Sequence, residues 1–181
     1  MVNLCIGFER FSEWQVCDED SSMEQRIISE YLKRSYFALD GLWFMMIEEE
    51  SSFDKALEID EKVWSVLPKI QARKAKELLG IEGAGLANFL RAVKVKLEAE
   101  EYNYEEREPG ADHVQIVIHE CPWHVILRRA NREHLAARIA DVICSLEFRV
   151  WIKEFGEHLK FGIKSRRCTG DPVCLLDFRA E

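Results

Sequence analysis

Apolar residues recur at intervals of three and four from residue 23 to 100, and mostly at intervals of two after residue 101. The first spacing marks one face of an α-helix, the second one face of a β-strand. Ile27, Ile28, Tyr31, Leu32 and Ser35 make one helical stripe, which Asp40-Gly41 interrupts. Leu42 to Ile47 is apolar on most faces and runs into three glutamates. Ser51-Ser52, with Asp54 three residues after Ser51, reads as a helix start. The helix that follows is expected to turn Ala56, Ile59, Val63, Trp64, Leu67 and Ile70 to one side, with a kink or boundary at Pro68, which lacks an amide donor. Gly80, Gly83 and Gly85 break the chain before a helix on Leu86, Phe89, Leu90, Val93 and Leu97.

Beyond Tyr102, Pro109-Gly110 is a turn signal between two runs, and Val114, Ile116 and Ile118 alternate with their neighbours as in a strand. Asn131 reads as the cap of a helix that faces Leu135, Ile139, Val142, Ile143, Leu146, Val150 and Trp151 inward. His158 to Ser165 and Val173 to Phe178 read as two further strands around Gly170-Asp171-Pro172, with Cys174, Leu176 and Phe178 inward. Helices followed by β-β-α-β-β predict an α+β fold, an antiparallel sheet with helices packed on one side. The expected organisation is an N-terminal arm over 1–22 and a single domain over 23–181. The domain has a helical half, 23–100, and a sheet-containing half, 101–181. In the arm, Phe8, Phe11, Trp14 and Val16 are spaced for a short amphipathic helix.

A chain of 181 residues is long enough for one real core. Its 48% hydrophobic and 32% charged residues exclude disordered and collagen-like classes. The net charge of −8 is unevenly placed. Residues 1–60 carry 5 Lys/Arg against 14 Asp/Glu, and residues 61–181 carry 20 against 19. Nucleic acid and anionic membrane are poor partners for such a chain, since both are held by cations. The small basic cluster Lys164, Arg166 and Arg167 does not change this. No basic, apolar leader opens the sequence and no apolar run approaches the ~20 residues of a membrane span, so a cytoplasmic location is expected. Six cysteines in that setting read as core residues, metal ligands or nucleophiles, not as a disulfide framework.

Four of them, Cys121, Cys144, Cys168 and Cys174, fall after residue 120. Cys121-Pro122-Trp123-His124 directly follows a strand. Its Cys-x-x-His spacing could bring both side chains to one metal ion, or pair a thiol with an imidazole, or simply anchor the strand end. With Cys144, Cys168 and Cys174, Cys121 and His124 could hold zinc or iron. In the nucleophile reading Cys121 attacks, His124 (or His119) is the base, and Asp141 (or Glu147) orients it. Arg128, Arg129 or Arg138 could receive a substrate carboxylate bidentately. The glycines of Gly80-Ile81-Glu82-Gly83-Ala84-Gly85 follow no strand and fail as a phosphate loop. Asp60 and Glu61 point to different faces, so no paired carboxylate is legible.

Asp40-Gly41-Leu42-Trp43-Phe44, Ala56-Leu57-Glu58-Ile59-Asp60 with Val63-Trp64, Cys121-Pro122, Cys144 and Gly170-Asp171-x-x-Cys174 form an ordered set. Together they resemble the L-2-amino-thiazoline-4-carboxylic acid hydrolase-like family over residues 36–178. The resemblance implies a ring-opening hydrolase acting on a cyclic amidine-like C=N bond beside a carboxylate. Cys121, Cys144 and Cys174 match its pattern. The element order is also similar to vinyl-reductase-like small-ligand-binding domains, which implies the alternative of a non-catalytic small-molecule or metal-binding sensor or carrier. The aromatic helical half could also serve a homodimer.

Overall fold

A computed structural model of the chain describes residues 19–110 and 112–181, with side chains from Met23 onward. The expected helix on Phe8, Phe11, Trp14 and Val16 lies outside the described residues. The chain divides into two compact units, 1–39 and 40–181. The second holds the whole sheet.

Among the described residues, six α-helices and four strands follow in chain order: α1 (Glu19–Glu50), α2 (Phe53–Trp64), α3 (Leu67–Leu78), α4 (Leu86–Ala99), β1 (Asn103–Gly110), β2 (His113–Glu120), α5 (Pro122–Arg129), α6 (Ala136–Lys153), β3 (Leu159–Ser165) and β4 (Cys174–Ala180). The fold is α+β, with an N-terminal helical half and helices packed on a four-stranded antiparallel sheet of order β1-β2-β4-β3. None of the described helices is long and apolar enough to cross a membrane.

Local chemistry sets most boundaries. Ser52 caps α2, its Oγ accepting from the Lys55 N–H at 3.2 Å. Pro68 sits in the first turn of α3, where a missing amide costs no hydrogen bond. The expected single face from Ala56 to Ile70 is therefore two faces. Ile70 is exposed, because the break at Ser65–Val66 resets the helical phase, and Val63 is exposed within α2 itself. Gly83 and Gly85 adopt φ of +97° and +101°, a region that disfavours any side chain.

Two boundaries differ from the sequence reading. Asp40-Gly41 does not stop α1, which runs through to Glu50; a lone glycine costs about 1 kcal/mol in a helix, little against tertiary packing. Asn131 does not cap a helix. It sits at φ +57°, between the short helix α5 and a 3-10 turn at Glu133–Leu135 that leads into α6. Pro122, at the first position of α5, starts that helix directly after β2 and Cys121.

The main core lies between the sheet and α3, α4 and α6. Strand alternation turns Val114, Ile116 and Ile118 of β2 and Leu176 and Phe178 of β4 into it, with Ile116 opposite Leu176 and Val114 opposite Phe178. Phe178 packs 4.7 Å from the Phe89 ring of α4 and 5.1 Å from Phe161 of β3. On the other side of β4, Asp177 accepts from Gln115 at 2.9 Å, pairs with His113 at 2.8 Å, and accepts from Arg179 at 2.9 Å. Burial alone would raise its pKa, but these partners outweigh burial and hold it down to about 2.

The turn after α6 is the tightest backbone point. Gly156 has φ +138°, and a Cβ there would meet the His158 ring at 2.5 Å. Gly156→Ala is expected to cost about 1–3 kcal/mol through that backbone strain. A lowered urea midpoint at unchanged slope checks it, and an unchanged midpoint would refute it.

Candidate functional site

Cys121 is the last residue before α5, extended at φ −101°, and His124 follows within the first turn of that helix. Burial pushes the Cys121 thiol up to about 11, although the amides of His124 and Trp123 at the helix start and the Tyr102 hydroxyl pull it down. Cys144 of α6 is raised well above its usual value by burial and then by Cys121 and Glu147. Burial also raises Cys168 and Cys174. The four thiols lie within electrostatic reach of one another, a convergence no spacing in the sequence reveals. They converge as thiols, whereas nucleophiles and metal ligands act as thiolates.

The other expected site residues have different partners. His124 Nε2 lies 3.1 Å from Glu133. His119 is 3.7 Å from Glu105. Asp141 is exposed and paired with Arg166, which also donates to Ser145 Oγ at 2.9 Å. Arg138 pairs with Asp54 and lies over the Phe53 ring, 4.6 Å from its centroid. Arg128 sits 3.8 Å from Glu120 at the surface. Cys121, His124 and Asp141 thus do not form a relay. Among the described residues, no group of three or more His, Cys, Asp or Glu is arranged to hold a metal ion.

A raised thiol pKa has a direct consequence. Cys121 and Cys144 are expected to resist iodoacetamide in the folded protein at pH 7.5, and to react at once in denaturant. Peptide mapping of the labelled sites checks it; labelling of Cys121 at its unfolded rate would overturn it.

The charged groups that converge are others. Lys96 of α4 is buried, with Nζ 2.6 Å from Glu100 on the next turn and 2.8 Å from Glu147 of α6. Burial alone would lower the Lys96 pKa, but the two carboxylates together more than reverse this and hold it raised. Glu147 is raised by burial, with Lys96 opposing. Glu100 also accepts from the Trp123 indole N–H at 3.1 Å. Trp123 meets Trp64 of α2 edge to face at 5.6 Å. Two further carboxylates, Asp40 of α1 and Asp60 of α2, lie near the Trp64 side chain. Burial raises Asp40 to about 6, Trp64 opposing and Glu100 adding to the rise. Burial raises Asp60 to about 7, with Asp40 adding and Trp64 opposing. Two carboxylates therefore hold the one ammonium, and two more, Asp40 and Asp60, lie nearby with raised pKa values. Perturbed groups of this kind concentrate at functional sites, and buried ion networks contribute little net stability that would explain their presence.

The sequence reading overlooks this cluster. The carboxylate within electrostatic reach of Asp60 is Asp40, from another helix, not its neighbour Glu61. A signal was available in α4 and α6. Phe89, Val93, Lys96 and Glu100 fall in one helical phase, as do Ala140, Ile143, Glu147 and Trp151. Charges at core positions of an apolar stripe are exceptions that call for partners.

Comparison with known proteins adds a family and a fold. The model of a family of unknown function, DUF6125, matches residues 19–173. No curated protein matches the sequence. A solved structure of a trafficking protein particle complex subunit 3 from Naegleria fowleri, covalently bound to palmitic acid, is similar at TM-score 0.50 and 14% identity, covering 86% of this chain and 96% of that one. At that identity the likeness concerns the fold alone.

Proposed function

The chain belongs to the DUF6125 family of unknown function, and from that premise we propose that it binds a small cationic C=N compound at the acidic cluster and opens it hydrolytically. The observation that carries the reading is the charge imbalance: Glu100 and Glu147 share one cation, Lys96, and Asp40 lies within electrostatic reach of Glu100 and Asp60 of Asp40. A cyclic amidine is a cation at neutral pH. Its bound form would offset carboxylate charge that the protein otherwise neutralises with protons. The indoles of Trp64 and Trp123 add aromatic surface beside those carboxylates, which suits a flat delocalised cation. Resemblance to the L-2-amino-thiazoline-4-carboxylic acid hydrolase-like family supports the same substrate class. Three residues that carry the resemblance, Asp40, Asp60 and Trp64, belong to this cluster. Arg128 is the freer of the two arginines for a substrate carboxylate, since a 3.8 Å surface pair with Glu120 is easily exchanged.

The test is incubation with L-2-amino-thiazoline-4-carboxylic acid, read by mass spectrometry and by melting temperature. A product one water heavier, with a raised melting temperature, is the expected result. A melting shift without product would instead favour the sensor or carrier reading, which the protonated thiols also support. Neither change would overturn binding of this class.

A further inference from the structure

We propose that α1 is the seam of a homodimer, its exposed apolar face pairing antiparallel with the same face of a second copy of this chain. The pairing does not depend on the hydrolytic reading above.

Ile28, Leu32, Ser35, Leu39, Leu42 and Met46 follow one another at alternating steps of four and three along one continuous helix. That is the 3.5-residue repeat that keeps one face of a helix turned toward a partner helix. The five apolar members are 45–59% exposed, the reverse of a helix that buries its stripe in its own core. Tyr31 and Trp43 flank the stripe on either side and are also exposed. Neither apolar cluster of the described residues includes any of the six. The last turns of α1 use the opposite face to hold the body. Phe44 meets Phe53 at 5.6 Å, and Glu48 pairs with Arg132. The apolar stripe is therefore left for something outside the chain's own core.

Size and charge identify the occupant as a second copy. With Tyr31 and Trp43, the stripe exposes on the order of 800 Å2, about what each partner buries in a stable complex and more than a monomer usually leaves in one patch. Tyr, Trp and Met are also the residue types that interfaces favour. A bilayer fits less well. From residue 23 to 50, α1 carries 6 acids against 3 bases, whereas helices that lie on anionic membranes are rich in lysine and arginine. Charge also sets the direction. Residues 23–36 carry Arg26, Lys33 and Arg34 against Glu24 and Glu30, and residues 37–50 carry Asp40, Glu48, Glu49 and Glu50 with no cation. A parallel pair would lay the two acidic halves together, and an antiparallel pair lays each against the other copy's slightly basic half. Antiparallel helix dipoles favour the same order. One two-fold axis then sets Ile28 against the partner's Met46 and Leu32 against the partner's Leu42, so the face is complementary to itself. The same register leaves Glu24 facing the partner's Glu50 at each end of the seam.

Sedimentation equilibrium of the full chain at micromolar concentration is expected to give twice the 21.2 kDa of one chain. Leu39→Gln combined with Leu42→Gln should weaken the dimer about 100-fold or more, since both lie at the centre of the seam. Glutamine is a good helix former and both positions are exposed in the single chain, so circular dichroism should still report the folded protein. Glu50→Lys reads the direction. In an antiparallel seam it replaces a repulsion with an attraction at both ends and should tighten the dimer about tenfold. In a parallel seam it only exchanges one like-charge pair for another, so an unchanged affinity overturns the antiparallel order. A wild-type monomer overturns the seam, as does a dimer that Leu39→Gln with Leu42→Gln leaves unchanged. Flotation with phosphatidylcholine–phosphatidylserine vesicles covers the remaining occupant. The wild type is expected to stay in solution, and co-flotation that the double variant abolishes overturns the second copy in favour of lipid.

Discussion

Lys96→Met lowers stability by about 3–5 kcal/mol at pH 7, enough to cost a chain of this size on the order of 10 °C in melting temperature. The reason is not the loss of an attraction as such. Lys96 is 5% exposed, with Glu100 and Glu147 its two ion-pair partners at 2.6 and 2.8 Å. Methionine fills much the same volume, so little cavity is left behind. What remains is two carboxylates in a desolvated place with no cation between them, beside the acidic pair at Asp40 and Asp60. Two further measurements separate this cause from packing. Adding Glu100→Gln and Glu147→Gln to Lys96→Met should recover most of the loss, because the unpaired charges are gone. Lowering the pH to 5 should also recover part of it in the single variant, since Glu147, raised by burial, then takes up a proton more readily. If Lys96→Met melts within 2 °C of wild type, the cluster is not the electrostatic unit described above.

The second large effect is a fall in stability as pH rises from about 4 to 7. Asp40 and Asp60 are raised in the folded chain to about 6 and about 7, from ordinary values of 3.8. Between those limits the folded state binds more protons than the unfolded state, and stability therefore decreases with pH. Below 3.8 both states are protonated and the pair contributes nothing. Above 7 both are ionised and the full penalty is present. Glu147, also raised, adds in the same direction. Since both aspartates are partly exposed, the loss is on the order of 3 kcal/mol, well under what two fully buried groups would give. Asp177 acts with the opposite sign. It is lowered to about 2, so its contribution is present above 3.8 and disappears as pH falls towards 2. Maximum stability is thus expected near pH 4–5, lower than for most proteins. Urea denaturation at pH 4.5, 6 and 7.5 reads the slope, and Asp60→Asn should flatten it and be the more stable form at pH 7.5. A wild-type midpoint that rises steadily from pH 4.5 to 7.5 would contradict the raised carboxyls.

The α+β class, the β1–β2 hairpin, the inward faces of β2 and β4, and the breaks at Pro68 and at Gly80 to Gly85 were all determined by the sequence alone. Each rests on short-range physics: side-chain periodicity, a missing amide donor, or a backbone angle that only glycine takes easily. Asp40-Gly41 and Asn131 were misleading because a local propensity of about 1 kcal/mol is smaller than what packing supplies to α1 and α6. The site depended on distance across the fold. His124 and Asp141 look like partners of Cys121 by spacing, yet Glu133 and Arg166 claim them. Asp40 and Asp60 look like ordinary helix-surface acids, twenty residues apart. Only the folding of α1 and α2 around Trp64 removes water from both and raises both carboxyls. Desolvation is a property of what surrounds a group, and a linear sequence does not contain its surroundings.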